Sequence, residues 1–301
     1  MIKFLDNKKA KEIWNTMILN MSNTTYYQSY DYALAYRDGS DLKFIYDTEK
    51  KIFAFAKVDD EIKMPFGPII GNDVTSKDIM DFVVEVSEYI KKNVIFSVSN
   101  SKIDEINSNY SNLEKTWLFV TPIIDTRLSI DEIVKNCTKN RQRIIKKGLE
   151  NIQDDRIKVG IEYLDDFCNL YKKRMSETGG EVDFNKDSLE KCLYKPTSHL
   201  VVCLDSNKVI AGHMIFTFGN TVITRFNCFD SDYYKISPSA RIEYELIKRS
   251  CEDSSIDYYD MSGLAYGEDV PVKNQTINRY KESYNPTIIY KYQWYKYNRE
   301  A

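Results

Sequence analysis

The 301-residue sequence has no long apolar run and only two histidines. No stretch approaches the roughly 20 apolar residues that a membrane-spanning helix needs. The opening residues Met1 to Asn7 contain no apolar core behind a basic segment, so we expect no secretory signal peptide. These absences predict a cytoplasmic protein without a transmembrane segment.

An excess of positive charge is also missing, because 42 basic residues face 45 acidic ones and the formal net charge is −3. A protein with this balance has no global field that attracts nucleic acid, and any polyanion would need a local basic patch. We therefore expect no DNA partner. Hydrophobic residues make up 43% and charged residues 29%, which is typical of a globular chain.

The cysteines lie far apart and form no CxxC pair, and a catalytic cysteine could have only His199 or His213 as its histidine partner. Zinc sites combine several such ligands at close spacing, so the sequence predicts no metal site. In a reducing compartment we expect six free and mostly buried thiols. They are Cys137, Cys168, Cys192, Cys203, Cys228 and Cys251.

Several familiar catalytic motifs are absent as well. The sequence contains no P-loop, no GxGxxG behind a strand, no GxSxG elbow and no HExxH pair. The Gly179-Gly180 pair favours a helix end over a phosphate-binding loop. The sequence therefore disfavours a function as a kinase, dehydrogenase, hydrolase or zinc enzyme.

Hydrophobic periodicity predicts a first helix with Ala10, Trp14 and Ile18 on one face, capped by Asp6 or Asn7, and two halves with the same order of elements. A strand hairpin at 42–58 corresponds to one at 198–218, and a helix–strand pair at 76–98 corresponds to one at 239–259. Antiparallel hairpins mixed with helices indicate an α/β chain of the α+β type, with mixed sheets rather than a doubly wound parallel sheet.

A capping box at Ser129–Glu132 predicts the start of a helix that carries a run of basic residues. Lys139, Arg143 and Lys147 are spaced i, i+4 and i+8 and therefore share one helical face. Two interpretations stay open: this stripe binds a phosphate-bearing ligand, or it is a solvated surface. His213 lies in the middle of a predicted strand, where a buried, hydrogen-bonded histidine is favoured over a general base.

Five short segments, taken in order, carry a resemblance to a known family. They are Tyr27-Gln28-Ser29, Met64–Pro68, Asn140–Gly148, Ser237-Pro238-Ser239 and Arg279-Tyr280-Lys281. The chain resembles the FemABX family of peptidoglycan bridge-forming transferases and the related GNAT-like acyltransferases of surface-glycan synthesis. The long coiled-coil insertion of some members is missing, and tyrosine replaces phenylalanine at position 280.

The resemblance implies two tandem GNAT-like domains. Residues 1–126 would form the first and residues 127–286 the second, with a C-terminal strand at 287–301 returning to the first.

In such enzymes an amine attacks an activated acyl carbonyl without a covalent enzyme intermediate. The resemblance implies that Lys281 stabilises the developing negative charge, although a surface lysine on a helix remains the alternative. Asp260 would orient the amine or accept its proton, or else cap the following loop. The residues implied in acceptor binding are Arg37, Lys235, Arg241, Tyr244 and Tyr280. Arg241 and Tyr244 could instead only flank a core-facing helix stripe.

The resemblance points to aminoacyl-tRNA as donor and to an amine-bearing cell-envelope precursor, such as the peptidoglycan stem peptide, as acceptor. The basic stripe of Lys139, Arg143 and Lys147 would then contact the tRNA, and a lipid-linked precursor would bring the protein to a membrane surface. The alternative is an acyl-CoA-dependent transferase acting on an amino sugar, although the usual pyrophosphate loop is absent. A third reading is a binding module without enzymatic activity. No tightly bound cofactor is expected.

Overall fold

The structure is a computed structural model that divides into two compact units. The first comprises Met1–Val120, Ala265–Glu268 and Tyr290–Ala301, and the second comprises Thr121–Leu264 and Asp269–Ile289. The described residues are 1–21, 23–35, 41–99, 101–110, 113–182, 184–266 and 272–299.

The first unit contains a mixed sheet in the strand order β1–β2–β3–β4–β6, with β5 pairing on β3. Its strands are β1 (Lys3–Leu5), β2 (Asp41–Asp47), β3 (Ile52–Val58), β4 (Ile62–Lys63), β5 (Ile69–Ile70) and β6 (Val94–Ser99). Its helices are α1 (Asn7–Leu19), α2 (Tyr30–Ala35), α3 (Ser76–Ile90) and α4 (Ser101–Asn109), and β7 (Glu114–Asp125) begins in this unit.

Helix α1 follows the predicted amphipathic pattern. Asp6 caps it by accepting a hydrogen bond from the Lys9 amide at 2.8 Å. Ala10, Trp14 and Ile18 are its buried positions, spaced four apart on one face. The Trp14 ring meets Phe44 edge-on, with 5.0 Å between ring centroids, which packs the helix on strand β2.

The Gln28 side chain completes the edge of strand β3 that faces away from β2, at a point where neither β4 nor β5 pairs with it. Strand β5 pairs with one end of β3 and β4 with the other end, which leaves Phe55 between them. Gln28 Oε1 accepts from the Phe55 amide at 2.6 Å, and its Nε2 donates to the Phe55 carbonyl at 3.2 Å. The same Nε2 donates to the Pro65 carbonyl.

A side chain at Gly67 would collide with this amide, because a Cβ atom there would lie 2.7 Å from Gln28 Cδ. Two segments of the family resemblance, Tyr27-Gln28-Ser29 and Met64–Pro68, therefore form one structural contact.

The second unit contains a mixed sheet in the order β12–β11–β10–β9–β8, and the end of β7 pairs antiparallel with β12. Its strands are β8 (Ile157–Val159), β9 (Ser198–Asp205), β10 (Lys208–Phe218), β11 (Thr221–Phe229) and β12 (Tyr258–Asp260). Its helices are α5 (Ile130–Asn136), α6 (Lys139–Asn151), α7 (Leu164–Thr178), α8 (Lys186–Leu193) and α9 (Pro238–Glu252).

The remaining elements are β13 (Leu264–Tyr266), α10 (Val272–Glu282) and β14 (Thr287–Tyr297). Residues Tyr292 to Tyr297 of β14 pair antiparallel with β6.

The single helix expected after Ser129 is wrong, because two helices stand there. The Ser129 capping box opens α5, which ends at Asn136. Cys137 follows in an extended conformation. The Thr138 side chain then accepts a hydrogen bond from the Arg141 amide at 3.3 Å and caps α6. A threonine that caps a new helix competes with continuation of the old one, which explains the break.

Close approach of α6 and α9 depends on Gly148. A Cβ atom at this position would lie 3.2 Å from the Arg241 Cβ and 3.2 Å from the Ser237 carbonyl oxygen. The inner face of α9 carries the predicted core stripe of Ile242, Leu246 and Ile247, all buried. Helix α9 is thereby fixed between α6 and the sheet of the second unit.

All six cysteines are free thiols, and all except Cys251 are buried, as the sequence predicts. Across the described residues, the structure contains no helix that is both long and apolar enough to cross a membrane.

Replacing Gln28 by leucine tests the contact that closes strand β3. We expect Gln28→Leu to lower the free energy of unfolding by about 3 kcal/mol, because buried polar groups at Phe55 and Pro65 lose their partner. Gln153→Leu, at an exposed position, is the matched control and should change stability by less than about 0.5 kcal/mol. Urea denaturation compares the two, and equal stabilities would contradict the assignment.

Candidate active site

Lys281 is a buried lysine rather than a surface one. It lies in the last turn of α10, and only 7% of the residue is exposed. Its Nζ donates to the backbone carbonyls of Ser262 at 3.0 Å and Gly263 at 2.9 Å. Burial lowers the pKa of Lys281 to about 8, while the charges of Asp260 and Glu243 act in the opposite direction. The ammonium is therefore mostly charged at pH 7 but close to losing its proton.

Asp260 is the last residue of β12 and is also buried. Its Oδ1 accepts a hydrogen bond from the Ser262 amide at 2.7 Å, so the predicted loop-capping role is present. Burial raises the pKa of Asp260 to about 6, although this amide bond and the charge of Lys281 oppose the rise. Near neutral pH the carboxylate is mostly ionised and still able to accept a proton.

One residue, Ser262, connects these two groups. Its amide binds Asp260 and its carbonyl binds Lys281, while its hydroxyl donates to the Thr224 carbonyl. The Ser262 φ of 64° is left-handed, a conformation that non-glycine residues adopt rarely. The side chains of Asp260 and Lys281 are therefore both bonded to the backbone of one residue, Ser262, which lies just after strand β12.

Tyr280 precedes Lys281 and is half-buried. Its hydroxyl donates to Glu243 Oε2 at 3.3 Å, and burial raises its pKa, so the hydroxyl stays a donor. The Arg141 guanidinium lies over the rings of Tyr280, at 4.3 Å from the centroid, and Tyr284, at 4.7 Å. Arg141 Nε also donates to the Ser283 hydroxyl at 2.8 Å. These contacts fix α10 against α6 and α9.

His213 is completely buried, which confirms the interpretation of a buried, hydrogen-bonded histidine. Its Nε2 lies 3.0 Å from the Ser239 hydroxyl, and its Nδ1 lies 3.2 Å from Glu243 Oε2. Glu243 is therefore the centre of a polar cluster that the sequence analysis missed. A glutamate between Ile242 and Leu246, on the core-facing stripe of α9, was the signal that could have revealed it.

Arg241 lies in a different environment from the expected substrate site. It is 1% exposed, and its guanidinium pairs with Asp154 and with Glu245, the latter at 3.2 Å. Its Nε donates to the Ile152 carbonyl at 3.3 Å. Protein groups thus already bind this cation, which favours the alternative in which Arg241 flanks the core-facing stripe of α9.

The other expected binding residues lie on the surface of the second unit or outside the described residues. Tyr244 is half-buried on α9, and Lys235 is exposed before that helix. Arg37 lies outside the described residues. The basic stripe of α6 is exposed over its whole length and consists of Lys139, Arg143 and Lys147.

The second unit matches a known family over most of its length. Residues 135–282 match the family described as an acetyltransferase (GNAT) domain. This region contains Arg141, Glu243, Asp260 and Lys281, the charged groups of the site. No curated protein matches the chain.

Solved structures resemble the whole chain. A structure of FemX has a TM-score of 0.71 and 11% identity, and the likeness covers 97% of this chain and 96% of that one. L-PGS from Bacillus licheniformis has a TM-score of 0.65 and 12% identity, over 99% and 94% of the two chains. A tandem GNAT protein from the clavulanic acid biosynthesis pathway has a TM-score of 0.56 and 7% identity, over 99% and 98%.

These likenesses confirm the predicted fold, and the chain has the tandem GNAT-like architecture that the FemABX resemblance implies. Residues 135–282 are similar to an acetyltransferase (GNAT) domain, and this similarity confirms the prediction of an acyltransferase.

Proposed function

We propose that this acyltransferase forms an amide bond between an aminoacyl group, carried by tRNA, and an amine of a cell-envelope precursor such as the peptidoglycan stem peptide. The buried Lys281 beside Asp260, inside a GNAT domain, is the observation that carries the proposal. The fold likeness to FemX supports it. So does the likeness to a putative lysylphosphatidylglycerol synthetase domain from Agrobacterium fabrum, at a TM-score of 0.64 and 9% identity.

Lys281 provides a donor for the oxyanion. An ammonium group has three N–H donors, and two of them bind the carbonyls of Ser262 and Gly263. Among the described residues these two carbonyls are its acceptors, and the third N–H would donate to the acyl carbonyl oxygen, which gains negative charge as the amine attacks. A preorganised donor in a site shielded from water stabilises that charge strongly.

Asp260 is suited to take the proton that the attacking amine loses. Its carboxylate is ionised at neutral pH, and a pKa of about 6 makes it a better base than an exposed aspartate. As the N–C bond forms and the acyl group leaves its carrier, the amine proton passes to Asp260. The carrier's oxygen takes up a proton from solvent.

Charged groups farther from Lys281 would hold the phosphates of donor and acceptor. The exposed stripe of Lys139, Arg143 and Lys147 offers three cations in a row to the tRNA backbone. Lys235, Tyr244, Tyr280 and Arg37 remain candidates for the acceptor. We expect the reaction in the cytoplasm, at a membrane surface when the precursor is lipid-linked.

A second candidate function is acyl transfer from acyl-CoA to an amino sugar. The family match to an acetyltransferase domain favours it. A yeast N-myristoyltransferase structure with bound myristoyl-CoA also shares the fold, at a TM-score of 0.54 and 10% identity. The chemistry at Lys281 and Asp260 would be the same, and only the carrier would differ.

Mass spectrometry of candidate acceptors decides between the donors. The protein is incubated with a peptidoglycan pentapeptide precursor or an amino-sugar nucleotide, together with either a mixture of aminoacyl-tRNAs or acetyl-CoA. We expect the pentapeptide to gain the mass of one amino-acid residue with charged tRNA only. An acetyl increment on the amino sugar would support the second function instead. No increment with either donor would contradict both.

The pH dependence of transfer follows from the two buried groups. We expect the rate to rise through about pH 6, as Asp260 loses its proton, and to fall through about pH 8, as Lys281 loses its charge. Asp260→Asn should remove the rise in rate near pH 6, which is the acidic limb of the profile. It should also move the alkaline limb to lower pH, because the Asp260 charge raises the pKa of Lys281. A flat profile between about pH 5.5 and 9 would contradict these roles.

A further inference from the structure

Glu243 is a carboxylate in the core of the second unit, with 1% of the residue exposed. Burial acts to raise its pKa, but the interactions with His213 and Tyr259 outweigh burial and hold the pKa below its usual value. The side chain is therefore a buried anion. Such a group costs several kcal/mol of desolvation, and an apolar residue of similar size often gives equal or greater stability. Packing alone therefore does not explain a glutamate at this position.

Groups from three different elements lie around this carboxylate. His213 on β10 brings Nδ1 to 3.2 Å, and Tyr280 on α10 donates its hydroxyl at 3.3 Å. Tyr259 on β12 also acts on its pKa. Strand β12 ends in Asp260, and Tyr280 is directly followed by Lys281. Glu243 therefore bonds to the residue that precedes Lys281 and interacts with the residue that precedes Asp260.

Charge connects Glu243 to Lys281 as well. The negative charge of Glu243 raises the pKa of Lys281, second only to that of Asp260, whereas the positive charge of Arg225 on β11 lowers it. The titratable and charged groups around Glu243 itself are Arg141 on α6, His213 on β10, Tyr259 on β12, and Tyr280, Lys281 and Tyr284 on α10.

We propose that Glu243 is a positioning residue for acyl transfer, whose buried carboxylate accepts the Tyr280 hydroxyl and thereby holds Lys281 in place, and whose negative charge acts on the Lys281 ammonium. The proposal rests on the role given to Lys281 under the proposed function. Glu243 itself does not touch the reacting atoms.

Lysine labelling measures the electrostatic part directly. Short pulses of acetic anhydride at about pH 6 to 10, followed by peptide mass spectrometry, give the pH at which Lys281 becomes reactive. We expect Glu243→Gln to lower this midpoint by roughly 0.5–1 pH unit, because the variant lacks the nearby negative charge. Glu252→Gln, the same change at the exposed end of α9, should leave the midpoint unchanged. Equal midpoints in Glu243→Gln and the wild type would overturn the electrostatic part.

Two variants that keep the charge test positioning. Tyr280→Phe removes the bond to Glu243, and Glu243→Asp retracts the carboxylate by about one bond length. We expect both to keep the wild-type labelling midpoint and to lower kcat at least about tenfold. Glu243→Asp leaves the Tyr280 hydroxyl in place for the acceptor and should therefore change KM little. A wild-type kcat in both variants would overturn the positioning role, including in the case that Glu243→Gln fails to fold.

The labelling outcome does not depend on acyl transfer. If no acceptor is modified but the Lys281 midpoint shifts in Glu243→Gln, the proposed function fails while the coupling of Glu243 to Lys281 stands. If transfer occurs but the midpoint does not shift, the coupling fails and the proposed function stands.

Discussion

The candidate site depends on the burial of one ammonium group. Lys281 keeps its charge in the core of the second unit because two backbone carbonyls accept its protons and two buried carboxylates lie nearby. A buried cation without such partners would release its proton or destabilise the fold. The left-handed turn at Ser262 and the end of β12 place these partners around the ammonium. The contacts of α10 hold Lys281 against them. Within the described residues the two carbonyls use two of its three N–H groups, and the proposed function assigns the third to the substrate.

Local sequence signals predicted most of the fold. The period of apolar residues predicted helices α1, α3 and α9 and the hairpin of β9 and β10, because burial of one face imposes that period. The break between α5 and α6 was missed, since a threonine inside a basic run gives no periodic signal. The closing of strand β3 by Gln28 could not be predicted either, because it joins residues 27 positions apart through a side chain.

The site was predictable only in part. Position within the resembling family pointed to Lys281 and Asp260, and the structure brings both to Ser262. The ion pairs of Arg241 could not be predicted, because a sequence does not reveal that Asp154 and Glu245 lie next to it. Glu243 was overlooked although a charged residue on a core-facing stripe is itself unusual. The role of a buried charged residue depends on its partners on other elements, and a sequence does not show which residues these are.

The central claim is that the Lys281 ammonium stabilises the charge that develops on the acyl carbonyl oxygen. The most direct measurement is the single-turnover rate of Lys281→Ala, with the donor Kd determined separately by equilibrium binding. The account predicts a rate lower by roughly 10²–10³, the cost of removing one preorganised donor, together with a nearly unchanged Kd. A near-normal rate in a folded variant would contradict it.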